Sequence, residues 1–376
     1  MRRTLTAVAA AATALLLTAS PALAHGGGKP SPRPPVVTDL ATGLVTPLSA
    51  ASGPRGSTFV TQNFAGLLTS VARDGTTEVV YASEGGAEVG GVSYSGRTVT
   101  FTETEYGATG PSASSLRTVR VDRNGAPAGA ARTVADLRAY EDARNPDGRV
   151  TYGLRDAPQS CLDQFPAEMP GSYTGIQDSH PYATTTRHGT TYVADAGMNA
   201  ILSVSDRGRV RTVAVLPAQP AVVTAEAAEA NGLPDCAVGE TFWFEPVPTD
   251  VEVGPRGKLY VTTLPGGPED ASLGARGAVY TVDPWRGSVR EVADGFLGAT
   301  NLAVSPWGTV YVAEMFGGAI TRVTWHGHRT VVEEATPAGL EWSRHGLLAT
   351  VDALGDETAP PAGRLVSIDL HRHGWR

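Results

Sequence analysis

The stretch Asp178-Ser179-His180-Pro181-Tyr182 places an imidazole two residues from a carboxylate. The following proline holds His180 extended, so its ring projects in a fixed direction. A histidine beside a carboxylate suits general-base work; a packed or surface histidine is the plainer reading. Glu245 stands among aromatics in Phe242-Trp243-Phe244-Glu245-Pro246. Burial there raises a carboxyl pKa and suits an acid or base, unless the carboxylate merely bonds a backbone amide. Asp250 and Asn301 each sit seven residues before a glycine, Gly257 and Gly308. Their oxygens suit one Ca²⁺ or Mg²⁺ ion; the alternative is that they bond strand-entry amides. Asp195 and Glu314 close the matching runs Tyr192-Val-Ala-Asp195 and Tyr311-Val-Ala-Glu314. They either cap the next turn or face the same space. Phosphate-loop, His-Glu-x-x-His and Gly-x-Ser-x-Gly patterns are absent.

These side chains need a scaffold, and a repeat supplies one. A turn glycine followed by an aromatic or β-branched strand recurs at Gly56, Gly96, Gly189, Gly257, Gly308 and Gly346. A third strand and a fourth, alternating one follow each time, as in Ala200-Ile-Leu-Ser-Val and Val210-Arg-Thr-Val-Ala-Val. Four short antiparallel strands per unit of about 40 residues is a propeller signature. The anchor glycines lie 40, 93, 68, 51 and 38 residues apart. The excesses mark insertions at about 138–179 and 218–248, and a smaller one at 265–275. The sixth unit ends after Leu365-Val-Ser-Ile-Asp369 without a fourth strand, while a spare strand, Pro35-Val-Val-Thr-Asp-Leu40, precedes the first. Pairing these ends closes a ring and removes the open edges. The expected fold is all-β: a six-bladed β-propeller closed by an N-terminal strand, spanning 36–376 as one domain. Five or seven blades is the competing count. Thr224–Asn231 is the best short helix. In a propeller the first strands line a central channel, so Asp178, His180, Asp250 and Asn301 are expected near one mouth.

Residues 1–24 read as a signal peptide: Arg2 and Arg3, an Ala/Leu run, then Ala22-Leu23-Ala24. A retained anchor and a twin-arginine signal are the alternatives to ordinary export. Residues 25–35 are a Gly/Pro-rich lead-in. The protein is thus expected to be secreted, monomeric and free of membrane after cleavage. Export favours a disulfide between Cys161 and Cys236 over two buried thiols, and it would pin the two long loop insertions together. The formal net charge of −8, from 30 basic and 38 acidic residues, argues against a nucleic-acid partner.

Asp178-Ser-His-Pro-Tyr-Ala183, Tyr192-Val-Ala-Asp-Ala-Gly197, Glu245-Pro-Val-Pro-Thr-Asp-Val251, Leu264-Pro-Gly-Gly-Pro-Glu269 and Tyr311-Val-Ala-Glu-Met-Phe-Gly-Gly318 together resemble the ScyD/ScyE family of exported proteins. That resemblance covers most of 36–370 and implies an NHL-like β-propeller, without a settled activity. The Lys-poor, Arg- and Ala-rich composition suggests a GC-rich bacterial genome. More distantly, Asp250 and Asn301 are similar to the metal-binding Asp and Asn of gluconolactonase/regucalcin-type propellers. That family's third ligand, a Glu, has no counterpart near Gly339. His180 is similar to the base of streptogramin lyases.

The expected function is binding of a small molecule, glycan or protein at the channel mouth. A second reading is a metal-assisted lactonase- or lyase-type enzyme, with His180, Asp178 and Glu245 catalytic and Asp250 and Asn301 holding Ca²⁺ or Mg²⁺.

Overall fold

Six four-stranded antiparallel sheets follow one another along the chain. A computed structural model describes residues 34–269, 271–344, 346–355 and 359–370. The proposed leader and most of the lead-in lie outside the described residues. Sheet one comprises Ala50–Ser52, Thr58–Gln62, Leu67–Val71 and Thr77–Ala82. Sheet two comprises Glu88–Ser95, Thr98–Gly107, Gly110–Arg120 and Arg132–Asp136. Sheet three comprises Pro181–Arg187, Thr190–Asp195, Ala200–Ser205 and Val210–Val215. Sheet four comprises Pro248–Val253, Leu259–Thr263, Gly277–Val282 and Val289–Phe296. Sheet five comprises Ala299–Val304, Val310–Glu314, Ala319–Thr324 and Gly327–Glu333. Sheet six joins Leu340–Ser343, Gly346–Val351 and Gly363–Asp369 to the N-terminal strand Val36–Leu44. The two chain ends pair as expected, with Val36 opposite Asp369 and Leu44 opposite Gly363.

Apolar cores lie between successive sheets. Phe59 and Leu68 meet Val89 and Phe101 between sheets one and two. Leu116 meets Met198 and Leu202 between two and three, and Ile201 meets Val261 between three and four. Phe296 meets Leu302 between four and five, Tyr311 meets Leu347 between five and six, and Leu365 meets Val60 between six and one. The last contact returns to the first sheet, an arrangement consistent with a β-propeller. Second strands such as Val310–Glu314 are buried throughout because sheets cover both their faces. Fourth strands such as Val289–Phe296 carry exposed charges that protect an outer edge. Pro54-Arg55-Gly56 and Pro255-Arg256-Gly257 make the same turn, with Arg55 at φ 54° and Arg256 at φ 61° and each glycine also left-handed.

The insertions correct the loop expectation. Thr151–Leu154 and Ser172–Thr174 from the first pair with Gln219–Val222 and Thr241–Phe244 from the second, forming a seventh four-stranded sheet. Gly153 opposite Trp243 joins the two insertions. Cys161 and Cys236 are disulfide-bonded, Cα to Cα 5.7 Å, within an apolar cluster that includes Leu154, Phe165 and Val223. A helix at Ala225–Asn231 is capped by the Thr224 hydroxyl, as the sequence suggests. Leu137–Arg144 is a second helix, capped by Asp136, at the start of the first insertion.

Candidate functional site

Strand alternation sorts the loops. Every first strand begins on one side of its sheet, so connections entering first strands share that side with the second-to-third turns. We call this side the mouth face. Glu88, at the start of its strand, Tyr106, near the end of the next, and Asn63, in a second-to-third turn, belong to it. His180, just before Pro181–Arg187, belongs there too.

These four residues form one hydrogen-bonded group. His180 Nε2 lies 2.9 Å from Glu88 Oε2 and 3.0 Å from the Tyr106 hydroxyl. Tyr106 donates to the same Glu88 oxygen at 2.6 Å, and Asn63 Nδ2 donates to the other at 2.9 Å. Asn63 is itself fixed by the Thr61 hydroxyl at 2.7 Å. Burial pushes the Glu88 carboxyl up, but the His180 hydrogen bond and charge, with Tyr106 and Asn63, outweigh it and hold the pKa below the usual range. An ionised Glu88 requires the neutral imidazole to present Nε2–H, which leaves Nδ1 with a lone pair. Burial and Glu88 push the Tyr106 phenol far up, so it stays a donor. The His180 side chain is 19% exposed, which gives it access to a solute. Its backbone is fixed by Asp195 Oδ1, which accepts its N–H at 3.0 Å.

Asp178 is not the partner of His180. Its side chain packs on Gly197, where any Cβ would collide with Asp178, and one of its oxygens is buried without a partner. Burial, then the charges of Glu245, Asp195 and Asp147, push it up to about 7. Glu245 accepts from the Tyr173 hydroxyl at 2.8 Å and from Asn199 Nδ2 at 2.9 Å. The same Asn199 amide donates to Asp147 at 2.9 Å, and Val247 N donates to its carbonyl at 3.0 Å. Asn199 therefore ties both insertions to the top of sheet three, and Glu245 belongs to that joint. Asp147 is pushed up to about 6 by burial, against its Asn199 and Tyr152 donors. Glu141 reaches about 8 through burial, with Asp195 and Asp178 adding to it.

Asp250 and Asn301 act between sheets. The Asp250 oxygens accept from Val251 N at 2.8 Å and Leu302 N at 2.9 Å. Asn301 Oδ1 accepts from Leu340 N at 2.9 Å. Each thus clamps the first strand of the next sheet. No group of three or more His, Cys, Asp or Glu side chains among the described residues is placed to hold a metal ion. Asp195 caps the turn that follows it, accepting from Met198 N at 3.1 Å, whereas Glu314 reaches back to the loop entering its own sheet and accepts from Leu297 N at 2.9 Å.

Glu88, Tyr106 and Asn63 were missed in the sequence. The seven-residue spacing before Gly96 falls on Val89, one residue past Glu88, which starts that unit's first strand. Tyr106 carries no such signal, because its strand runs past the usual unit length.

No family model matches the chain, and no curated protein matches it. Solved structures do resemble it. A putative oxidoreductase (glucose dehydrogenase) from Thermus thermophilus is 15% identical with a TM-score of 0.53, covering 89% of this chain and 99% of its own. The PQQ-bound aldose sugar dehydrogenase from Streptomyces coelicolor is 14% identical with a TM-score of 0.53, covering 90% and 100%. The apo aldose sugar dehydrogenase from Escherichia coli is 11% identical with a TM-score of 0.52, covering 89% and 99%. At these identities the likeness establishes the β-propeller fold alone.

Proposed function

We propose that the chain is an exported, six-bladed β-propeller of the ScyD/ScyE type whose mouth carries out acid–base chemistry on a small polar molecule. The observation that carries this is the Glu88–His180–Tyr106 group: an accessible imidazole with Nε2 held by an ionised carboxylate and a phenol beside it. His180 Nδ1 takes a proton from the substrate or from water. Glu88 fixes the tautomer and stabilises the imidazolium that forms. Tyr106 gives its one O–H to Glu88 and so keeps that carboxylate in place against the imidazole. Ester ring opening, by hydrolysis or elimination, is the reaction class such a group serves without a redox partner. The six-blade count is supported by six cores in cyclic order. A positioning role for Asp250 and Asn301, in place of metal ligation, is supported by the backbone amides they already accept.

The test is turnover of a panel of lactones and cyclic ester peptides. His180→Ala should lower the rate by about 10²–10⁴-fold with the melting temperature unchanged. Wild-type rates in both His180→Ala and Glu88→Gln would remove this reading. Tight binding of a panel member without turnover would favour the binding module instead.

A further inference from the structure

The face opposite the mouth carries its own pattern. First-to-second and third-to-fourth turns both fall there, because antiparallel strands reverse at each turn. On sheets three and four these turns carry Arg187, Arg207, Arg209, Arg256, Lys258 and Arg286, all exposed. None of the six joins a salt bridge among the described residues. The carboxylates on the same turns are Asp206 and Asp283. Asp283 accepts the backbone N–H groups of Trp285 and Arg286 at 3.0 Å each, and the nearby charges of Arg286 and Lys258 favour its ionised form, which leaves the arc with a net positive charge.

Three indoles share this face. Trp285 is 79% exposed, Trp307 67% and Trp325 100%. Trp285 tips the third-to-fourth turn of sheet four; Trp307 and Trp325 tip the two turns of sheet five. The turns adjoin one another. Both the Arg187 guanidinium and the Trp285 ring border Gly257, and Pro255 borders Gly308 beside Trp307. Large apolar rings at turn tips gain nothing from water. Beside unpaired cations they match the interface of an anionic bilayer, where indoles settle at headgroup depth and Arg and Lys meet lipid phosphates. Tips presented on one side of a ring of sheets fit an extended flat surface better than a single flexible chain.

We propose that this underside docks peripherally on an anionic phospholipid surface, with the mouth turned away from it. No helix among the described residues is long and apolar enough to cross a membrane. The formal net charge of −8 is a total that conceals this basic arc.

The experiment is co-sedimentation of the full chain with vesicles of phosphatidylcholine alone or mixed with phosphatidylglycerol. Binding is expected only with phosphatidylglycerol and should weaken as salt rises. Each basic residue near the surface contributes about five-fold in affinity, so Arg256→Glu with Arg286→Glu should lose tenfold or more. Trp307→Ala with Trp325→Ala should lower binding at unchanged charge and reduce the blue shift of tryptophan emission on vesicles to what Trp285 alone supplies. These side chains are exposed, so melting curves should match the wild type. No binding to phosphatidylglycerol vesicles at low salt would overturn the proposal. So would binding indifferent to all four substitutions, or retention on heparin without vesicle binding, which would mark a site for a soluble polyanion.

Discussion

Carboxylates crowded at the joint below the seventh sheet and carboxylates on the underside turns behave in opposite ways. On the mouth face, Glu141, Asp147 and Asp178 are pushed up to about 8, 6 and 7 by burial, with neighbouring carboxylates adding to it. On the underside, Asp74, Asp122 and Asp283 are held below the usual range because turn amides donate to them in open water. Mouth carboxylates are packed under the seventh sheet with few donors. Underside carboxylates each serve one turn, and on sheets three and four two of them, Asp206 and Asp283, face six cations. The lesson is that a solvated Asp shapes its turn, whereas a crowded Asp stores a sensitivity to pH.

The largest effect expected on this contrast is removal of the disulfide. Cys161→Ser with Cys236→Ala opens a loop with a sequence separation of 75. The chain-entropy model puts the loss at about 4 kcal/mol. The seventh sheet should then release before the ring, giving an early transition in hydrogen exchange confined to 145–175 and 219–245. A single unchanged transition would show that this sheet is held by the ring instead.

Next comes a clamp between sheets. Asp250→Ala removes the acceptor for Leu302 N and Val251 N. The expected cost is about 1–3 kcal/mol in chemical denaturation, for amides left unpaired. Since burial raises Asp250 to about 7, Asp250→Asn should recover part of that loss. A stability unchanged in Asp250→Ala, with loss of a tightly bound Ca²⁺, would return the residue to a metal role.

The last expectation on this contrast is the pH slope of the joint below the seventh sheet. The folded pKa values of Asp147, Asp178 and Glu141 lie above their unfolded values of about 4. Their contribution is therefore full below about pH 4 and falls as pH rises towards about 8. Melting temperature should decline across that window, and Asp147→Asn with Asp178→Asn should flatten the decline. Asp122→Ala on the underside should leave the slope as it is.

Much of the fold is legible in the sequence because it is local. Turn glycines, the alternating fourth strands and the orphan strand 35–40 each announce themselves within a few residues. The cysteine pair and the Thr224 cap do so as well. The seventh sheet was not legible, since Thr151–Leu154 and Thr241–Phe244 acquire strand character only by pairing across two insertions. At the site, His180 was visible through its proline and the mouth position. Its partner was not: Glu88 stands 92 residues away on the neighbouring sheet. Asp178 drew attention by adjacency, yet its carboxylate lies against Gly197 and makes no hydrogen bond to the imidazole.

The central claim is that Glu88 holds His180 as a poised base. Long-range ¹H–¹⁵N spectra of the neutral imidazole, recorded in the wild type and in Glu88→Gln, address it most directly. The account predicts one tautomer in the wild type, protonated at Nε2 with Nδ1 bare, and a mixture once Glu88 loses its charge. A wild-type ring protonated at Nδ1, or a spectrum indifferent to Glu88→Gln, would contradict it.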